Sequence, residues 1–305
     1  MKNRKILLII IGLIAANLFF LIFIILQKPI KDGVEVIFLD VGQGDASLIR
    51  AEGGVNVLID GGPDNKVVEK IDKYLPLWNR KIDIMVLTHP HSDHVSGLIN
   101  VLEKYPVNEV WMTGVLHNSP EYIEFLETMK NKKTEVKIAG GENGGLGEYE
   151  IALNTKIKIL YPKENLLKQK VDNLNNSSIV LKLEYKNKSF LFAGDIEKEA
   201  EDELCGQPSS NFPSSDALPA TSSGGVLKAD ILKVAHHGSD TGSTEEFLNL
   251  VKPEIAIISV GRDNEFGLPS LRIIKRLERM GVRIIRTDEY GDVIMKVDGG
   301  DLNIN

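Results

Sequence analysis

The chain has 305 residues, 36 Lys+Arg against 43 Asp+Glu, and one cysteine. Charged residues at 26% and hydrophobics at 43% exclude a disordered tail and a polytopic membrane protein, and the single cysteine excludes a disulfide framework or a Cys-rich zinc site. The net charge of -7 argues against a surface that coats nucleic acid broadly, although a local basic groove stays open.

The charge is unevenly spread. Residues 1–31 hold Lys2, Arg4, Lys5, Lys28 and Lys31 and no acid, which leaves the remainder strongly acidic. Ile6 to Leu26 is an uncharged run, interrupted in polarity only by Asn17. At about 1.5 Å per residue it spans about 30 Å, the thickness of a hydrocarbon core. It is too long for the apolar part of a cleaved signal, and Ala15-Ala16 lies mid-run. The expectation is an uncleaved signal anchor over residues 1–31. Lys2, Arg4 and Lys5 before the run put the N-terminus in the cytoplasm and residues 28–305 outside the membrane.

Beyond it, Val34–Val41, Ala46–Ala51 and Val55–Ile59 read as consecutive strands with tight turns, and Ile82–Thr88 as a buried strand. Ser96–Lys104 and Tyr122–Lys130 have helical spacing. Tyr149–Leu153 with Lys156–Tyr161, and Ile179–Tyr185 with Ser189–Ala193, read as hairpins, and Glu197–Leu204 as an acidic helix. Gly206–Gly225 is rich in Gly, Pro and Ser and reads as a flexible insertion. Strands follow at Asp230–Ala235, Ile255–Val260, Arg283–Thr287 and Asp292–Val297, with a helix at Leu271–Met280. Strands interleaved with helices make a layered α/β domain.

Five of the six histidines fall in two clusters at strand ends, and only His117, read as an ordinary surface or packing residue, stands alone. His89-Pro90-His91-Ser92-Asp93-His94 leaves the strand Ile82–Thr88. In extended backbone His89 and His91 face one way and can grip one ion, and the turn that follows aims Asp93 and His94 at a second point. Imidazole pairs with a carboxylate are the ligand set of a dinuclear hydrolytic site. His236-His237 ends the strand Asp230–Ala235. Asp60 and Asp195 also follow buried strands, where a carboxylate is costly unless it is bonded or ligating.

The histidine run, Gly194-Asp195 and His236-His237-Gly238-Ser239 resemble the metallo-β-lactamase superfamily. Asp40-Val41-Gly42-Gln43-Gly44-Asp45, Asn175-Asn176-x-Ser178 and Val260-Gly261…Asn264…Gly267 resemble, more narrowly, the hydrolase domain of ComEC-type competence proteins. The resemblance covers residues 34–298. It implies a four-layer αββα sandwich preceded by one transmembrane helix, and two divalent metals, Zn or Mn. It implies that His89 and His91 bind the first metal, that Asp93, His94 and one of His236/His237 bind the second, and that Asp195 bridges them. His237 is the favoured ligand, with His236 the neighbouring acid or substrate contact. Asp60 and Asn176 would orient ligands, and Asp40, Gln43, Asp45 and Ser239 would line the substrate rim, although ordinary turn chemistry also explains Asp40, Gln43 and Asp45.

Two departures matter. Many members carry a further His where this chain has Asn175-Asn176-Ser177, which leaves the first metal weaker. Relatives often have Gly-His-Pro where this chain has Gly267-Leu268-Pro269, so any role of that His is lost. The expected activity is hydrolysis of phosphodiesters, with Asp93, Asp195 and His236 catalytic and single-stranded DNA a candidate partner. Other hydrolysis on the same scaffold, such as a phosphocholine esterase of envelope polymers, and a catalytically weak metal- or DNA-binding module are the alternatives. Arg272, Lys275, Arg276 and Arg279 share one helix face and could track a phosphate backbone or be merely solvated.

Overall fold

The computed structural model describes residues 2–26, 30, 32–141, 147–206 and 225–305, so the Gly/Pro/Ser-rich insertion at 206–225 falls outside the described residues except at its ends. Helix α1 (Lys2–Leu26) comes first. It is long and apolar enough to cross a membrane, and none of its window Arg4–Leu21 is buried.

Two mixed sheets follow. The first has the order β15-β14-β1-β2-β3-β4-β5-β6 and the second β13-β12-β11-β10-β9-β8-β7. In the first, β1 (Val34–Phe38), β2 (Ser47–Ala51) and β3 (Val55–Ile59) pair antiparallel. From β3 onward, β4 (Ile82–Val86), β5 (Val107–Met112) and β6 (Glu135–Ile138) run parallel. In the second, β7 (Glu148–Ala152), β8 (Thr155–Tyr161), β9 (Val180–Tyr185) and β10 (Lys188–Phe192) are antiparallel. β10, β11 (Ile231–Lys233), β12 (Ile255–Ile258) and β13 (Arg283–Arg286) are parallel. β14 (Val293–Asp298) and β15 (Asp301–Ile304) close the first sheet beside β1.

Alternation along the strands builds three cores. On β10, Phe190 and Phe192 enter the core between the sheets, while Leu191 joins the layer under the outer helices. Helices α2 (Lys66–Tyr74), α3 (Ser92–Lys104) and α4 (Pro120–Lys132) cover the first sheet through Ile71, Leu98, Leu102, Phe125 and Met129. Helices α5 (Lys198–Leu204), α6 (Glu245–Val251) and α7 (Leu271–Arg279) cover the second through Leu204, Phe247, Ile273 and Leu277. The result is the four-layer αββα sandwich.

Two local points bear on the site. Helix α3 begins at Ser92, four residues before the expected Ser96, so Asp93 and His94 stand in its first turn. It lies directly on the loop after β3: Gly61 N donates to His94 O, Gly97 N donates to Gly62 O, and a Cβ on Gly97 would collide with the Gly61 carbonyl. The helix α2, the strands β5, β6 and β15, and the helix α6 have no counterpart in the sequence reading above.

Candidate metal centre

The candidate metal ligands and Asp60 sit just after strands stop. Asp60 follows β3, His89 to His94 follow β4, Asp195 follows β10, and His236 and His237 follow β11. β3 with β4, and β10 with β11, are parallel neighbours, so their ends share one rim.

Asp93, His94, Asp195 and His237 converge with one donor atom each, all within 4.8 Å of one another. His94 Nδ1 lies 2.9 Å from Asp60 Oδ2, and its Nε2 lies 3.2 Å from Asp195 Oδ2 and 3.8 Å from Asp93 Oδ2. His237 Nδ1 donates to the Ser259 carbonyl at 2.9 Å. Its Nε2 lies 3.2 Å from Asp93 Oδ2 and 3.3 Å from Asp195 Oδ2. In both rings Nδ1 keeps its proton on an oxygen acceptor, and Nε2 is turned toward the same two carboxylates.

That arrangement needs positive charge at Nε2. Burial disfavours both imidazolium ions, but carboxylates outweigh it and raise both pKa values well above the ordinary range: Asp195, Asp60 and Asp93 around His94, Asp195 and Asp45 around His237. For Asp195 and Asp93, burial works against ionisation, and the charges of His237 and His94 overcome it and hold both carboxyls well below their usual range. A divalent cation supplies the same charge in place of the protons. The residues therefore fit a metal, and Asp195 Oδ1, buried with no hydrogen-bond partner among the described residues, is the kind of orphaned acceptor a metal site contains.

His89 and His91 form a separate pair. His89 Nε2 is 3.0 Å from His91 Nδ1, against about 3.3 Å for two nitrogens sharing a tetrahedral zinc. His89 Nδ1 sits 3.1 Å from Thr88 Oγ1 and 3.2 Å from Ser178 Oγ. Burial, and secondarily the His94 charge, pulls the His89 pKa well below ordinary, and burial lowers His91 as well, so both rings are neutral donors.

Residues in contact with these donors hold them in place. Asp60, with φ of 57°, accepts from Thr88 N at 2.8 Å and Thr88 Oγ1 at 2.7 Å while facing His94. Burial raises its pKa despite His94. Ser178 Oγ accepts from Asp195 N at 3.1 Å, and the left-handed Gly194 just before it has no room for a Cβ against Ser178. His236 stands outside the group, with Nδ1 3.1 Å from Thr241 Oγ1 and 3.2 Å from Glu197 Oε1. Asn176 lies away from the histidine pair, accepting from Glu197 N and donating to Glu199. Asp40 accepts from Gly42 N, Gln43 Oε1 accepts from Gly261 N, and Ser239 Oγ meets Thr241 Oγ1.

Lys233 went unread in the sequence. On β11 it follows Ile231 on the face toward the sheet–sheet core, while Leu232 and Val234 face the helices. It is 3% exposed, paired with Asp45, 3.6 Å from Asp195 Oδ1, and donates to Gly194 O at 3.2 Å. Burial opposes its charge, but Asp45 and Asp195 raise its pKa. A lysine inside the apolar strand Ile231-Leu232-Lys233-Val234 was the available signal.

The family model described as the metallo-beta-lactamase superfamily matches residues 39–262. The chain belongs to this superfamily. Among similar proteins, ComE operon protein 3 of Bacillus subtilis (strain 168) is 28% identical over 94% of this chain and 36% of its own length. Recombination protein 2 of Haemophilus influenzae is 29% identical over 92% and 31%, and Competence protein ComA of Neisseria gonorrhoeae is 26% identical over 83% and 30%. The chain thus spans about a third of the length of these relatives. Among solved structures, the metallo-beta-lactamase fold protein YhfI from Bacillus subtilis superposes with a TM-score of 0.51 at 12% identity, over 90% of this chain and all of that one. The CmlA beta-hydroxylase E377D mutant gives 0.52 at 13% identity, over 88% and 54%. Both likenesses concern the fold.

Proposed function

We propose that this chain is a membrane-anchored, metal-dependent phosphodiesterase whose hydrolase domain, residues 32–305, lies outside the cytoplasmic membrane. The observation that carries the reading is the convergence of Asp93, His94, Asp195 and His237 beside the His89/His91 pair. On this reading His89 and His91 hold one ion, Asp93, His94 and His237 hold the other, and Asp195 serves both. Two divalent ions, zinc or manganese, would supply hydroxide near neutral pH and neutralise charge on the phosphoryl oxygens.

The chain's own groups do the rest. Asp60 and Ser259 keep the protons of His94 and His237 on Nδ1 and leave Nε2 free to ligate. His236, at the rim between Thr241 and Glu197, is positioned to deliver a proton to the leaving oxygen. The names of the relatives, competence and recombination proteins, direct the substrate toward nucleic acid. The face of α7 adds modest support, since Lys275 and Arg279 carry no ion pair among the described residues, while Arg272 meets Asp240 and Arg276 donates to Ser243 O. Lys2, Arg4 and Lys5 before the apolar helix support the orientation.

The test is hydrolysis of bis-p-nitrophenyl phosphate and of a single-stranded oligonucleotide by the full chain, with Zn or Mn, beside Asp93→Ala. Cleavage by the wild-type chain no faster than by the variant would sink the reading. Oligonucleotide cleavage whose salt dependence is unchanged in Arg272→Ala/Lys275→Ala would remove α7 from the substrate path.

A further inference from the structure

A cavity of about 450 Å³ opens between the loop that follows β5, α4, the edge strand β6 and residues 167–168. Its size is ordinary for a small-molecule site, about 300–1,000 Å³. The floor is apolar: Met112, Val115, Met129 and Ile138. Around the mouth stand Leu116, Leu126, Val136 and Leu167, all large apolar side chains at least 38% exposed. Elsewhere on the described part of the domain such side chains are scattered singly or in pairs, so this concentration marks a binding surface.

The cavity is built rather than left over. Leu116 N donates to Gln169 O and Lys168 N to Gly114 O, both at 2.8 Å, so the two loops are pinned together. Gly114 takes a φ of 70°, and a Cβ there would meet Leu167 Cδ1 at 2.7 Å.

Charge completes the picture. Lys130, Lys133 and Lys168 line the cavity, no acid does, and none of the three has an ion pair among the described residues. Apolar floor and unpaired ammonium rim together fit a molecule with a chain to bury and a negative head. A nucleobase fits poorly, because its ring nitrogens and carbonyls would lose water against Met, Val and Ile with nothing to bond.

We propose that this cavity binds an anionic lipid of the bilayer, acyl chain on the floor and headgroup on Lys130, Lys133 and Lys168. The apolar helix α1 bears on this only as the reason a bilayer is within reach.

The experiment uses the full chain in nanodiscs containing phosphatidylglycerol or phosphatidylcholine that carries a photoactivatable acyl chain, with the label mapped by peptide mass spectrometry. Label is expected within residues 112–138, more from phosphatidylglycerol than from phosphatidylcholine. Leu126→Glu puts a charge against the apolar floor from an exposed position and is expected to cut that label at least about tenfold. Lys130→Ala/Lys133→Ala/Lys168→Ala is expected to abolish the preference for phosphatidylglycerol. Thermal melting checks that each variant is folded. Label confined to α1, label unchanged in folded Leu126→Glu, or displacement of the label by a single-stranded oligonucleotide would each overturn the proposal. None of these outcomes depends on phosphodiesterase activity.

Discussion

The two halves of the candidate metal centre are each built around two histidines and behave oppositely. Around His94 and His237 the neighbours are Asp45, Asp60, Asp93 and Asp195, and both imidazole pKa values rise. Around His89 and His91 the polar partners are the hydroxyls of Thr88 and Ser178, and burial lowers both values. The carboxylate-rich half has a strong demand for a cation and competes for it with protons. The hydroxyl-rich half offers neutral nitrogens and no charge of its own beyond a share of Asp195. The difference teaches that the acidic half should hold a cation more tightly than the hydroxyl-rich half.

The largest effect expected is from Asp93→Ala. Loss of a ligand from the acidic half should exceed the about 10–100-fold in metal affinity that loss of an orienting contact costs. Metal content per chain and hydrolysis rate measure it, and retention of both ions would break the comparison. His89→Ala should remove one ion and leave the other, read by metal content at limiting metal. Loss of both would mean the halves are not separable. Asp60→Asn leaves every donor atom in place but withdraws the charge from His94 Nδ1. A fall in affinity within about 10–100-fold is expected by calorimetry, and no change would show that the contact is idle.

Smallest is the effect of Asp292→Ala, remote from the centre. Asp292 accepts from Lys70 at 2.6 Å, Tyr74 at 2.7 Å, Lys73 at 3.0 Å and Asp40 N at 3.0 Å, holding the start of the 40–45 loop against α2. Its removal should cost about 1–3 kcal/mol by denaturant unfolding, with metal content unchanged. Burial opposes its ionisation, but the bonds from Lys70 and Tyr74 prevail and depress its pKa. The stability it adds is therefore complete above the ordinary carboxylate range and lost as pH falls through the depressed value. Wild type and variant should converge in stability at acid pH.

Much of this was legible before any coordinates. His89, His91, Asp93 and His94 within six residues, and Asp60, Asp195 and His237 each ending an apolar run, mark the centre locally, because ligands on one rim must follow strands. The apolar run Ile6–Leu26 is legible for a similar reason, since length and composition alone decide whether a helix can span a bilayer. Glu201 shows where local reading stops. In the chain it is one acid of an acidic helix. In the fold it is fully buried, accepting from Ser243 N and Thr244 N, and burial raises its pKa.

What the sequence determined by itself, then, was the layered α/β class and the N-terminal apolar helix, both written in local runs of the chain. What only the tertiary structure decided was which donors meet. His237 rather than its neighbour His236 turns toward Asp93 and Asp195, Lys233 reaches Asp45 from the middle of a strand, and Ser178 rather than Asn176 touches His89. Those choices depend on contacts between residues up to 188 positions apart, from Asp45 to Lys233, and are made by sheet register and by the backbone turn at a strand end. His236 and His237 both take a left-handed φ at this strand end, and of the two imidazoles it is His237 that meets Asp93 and Asp195, which no composition or spacing encodes.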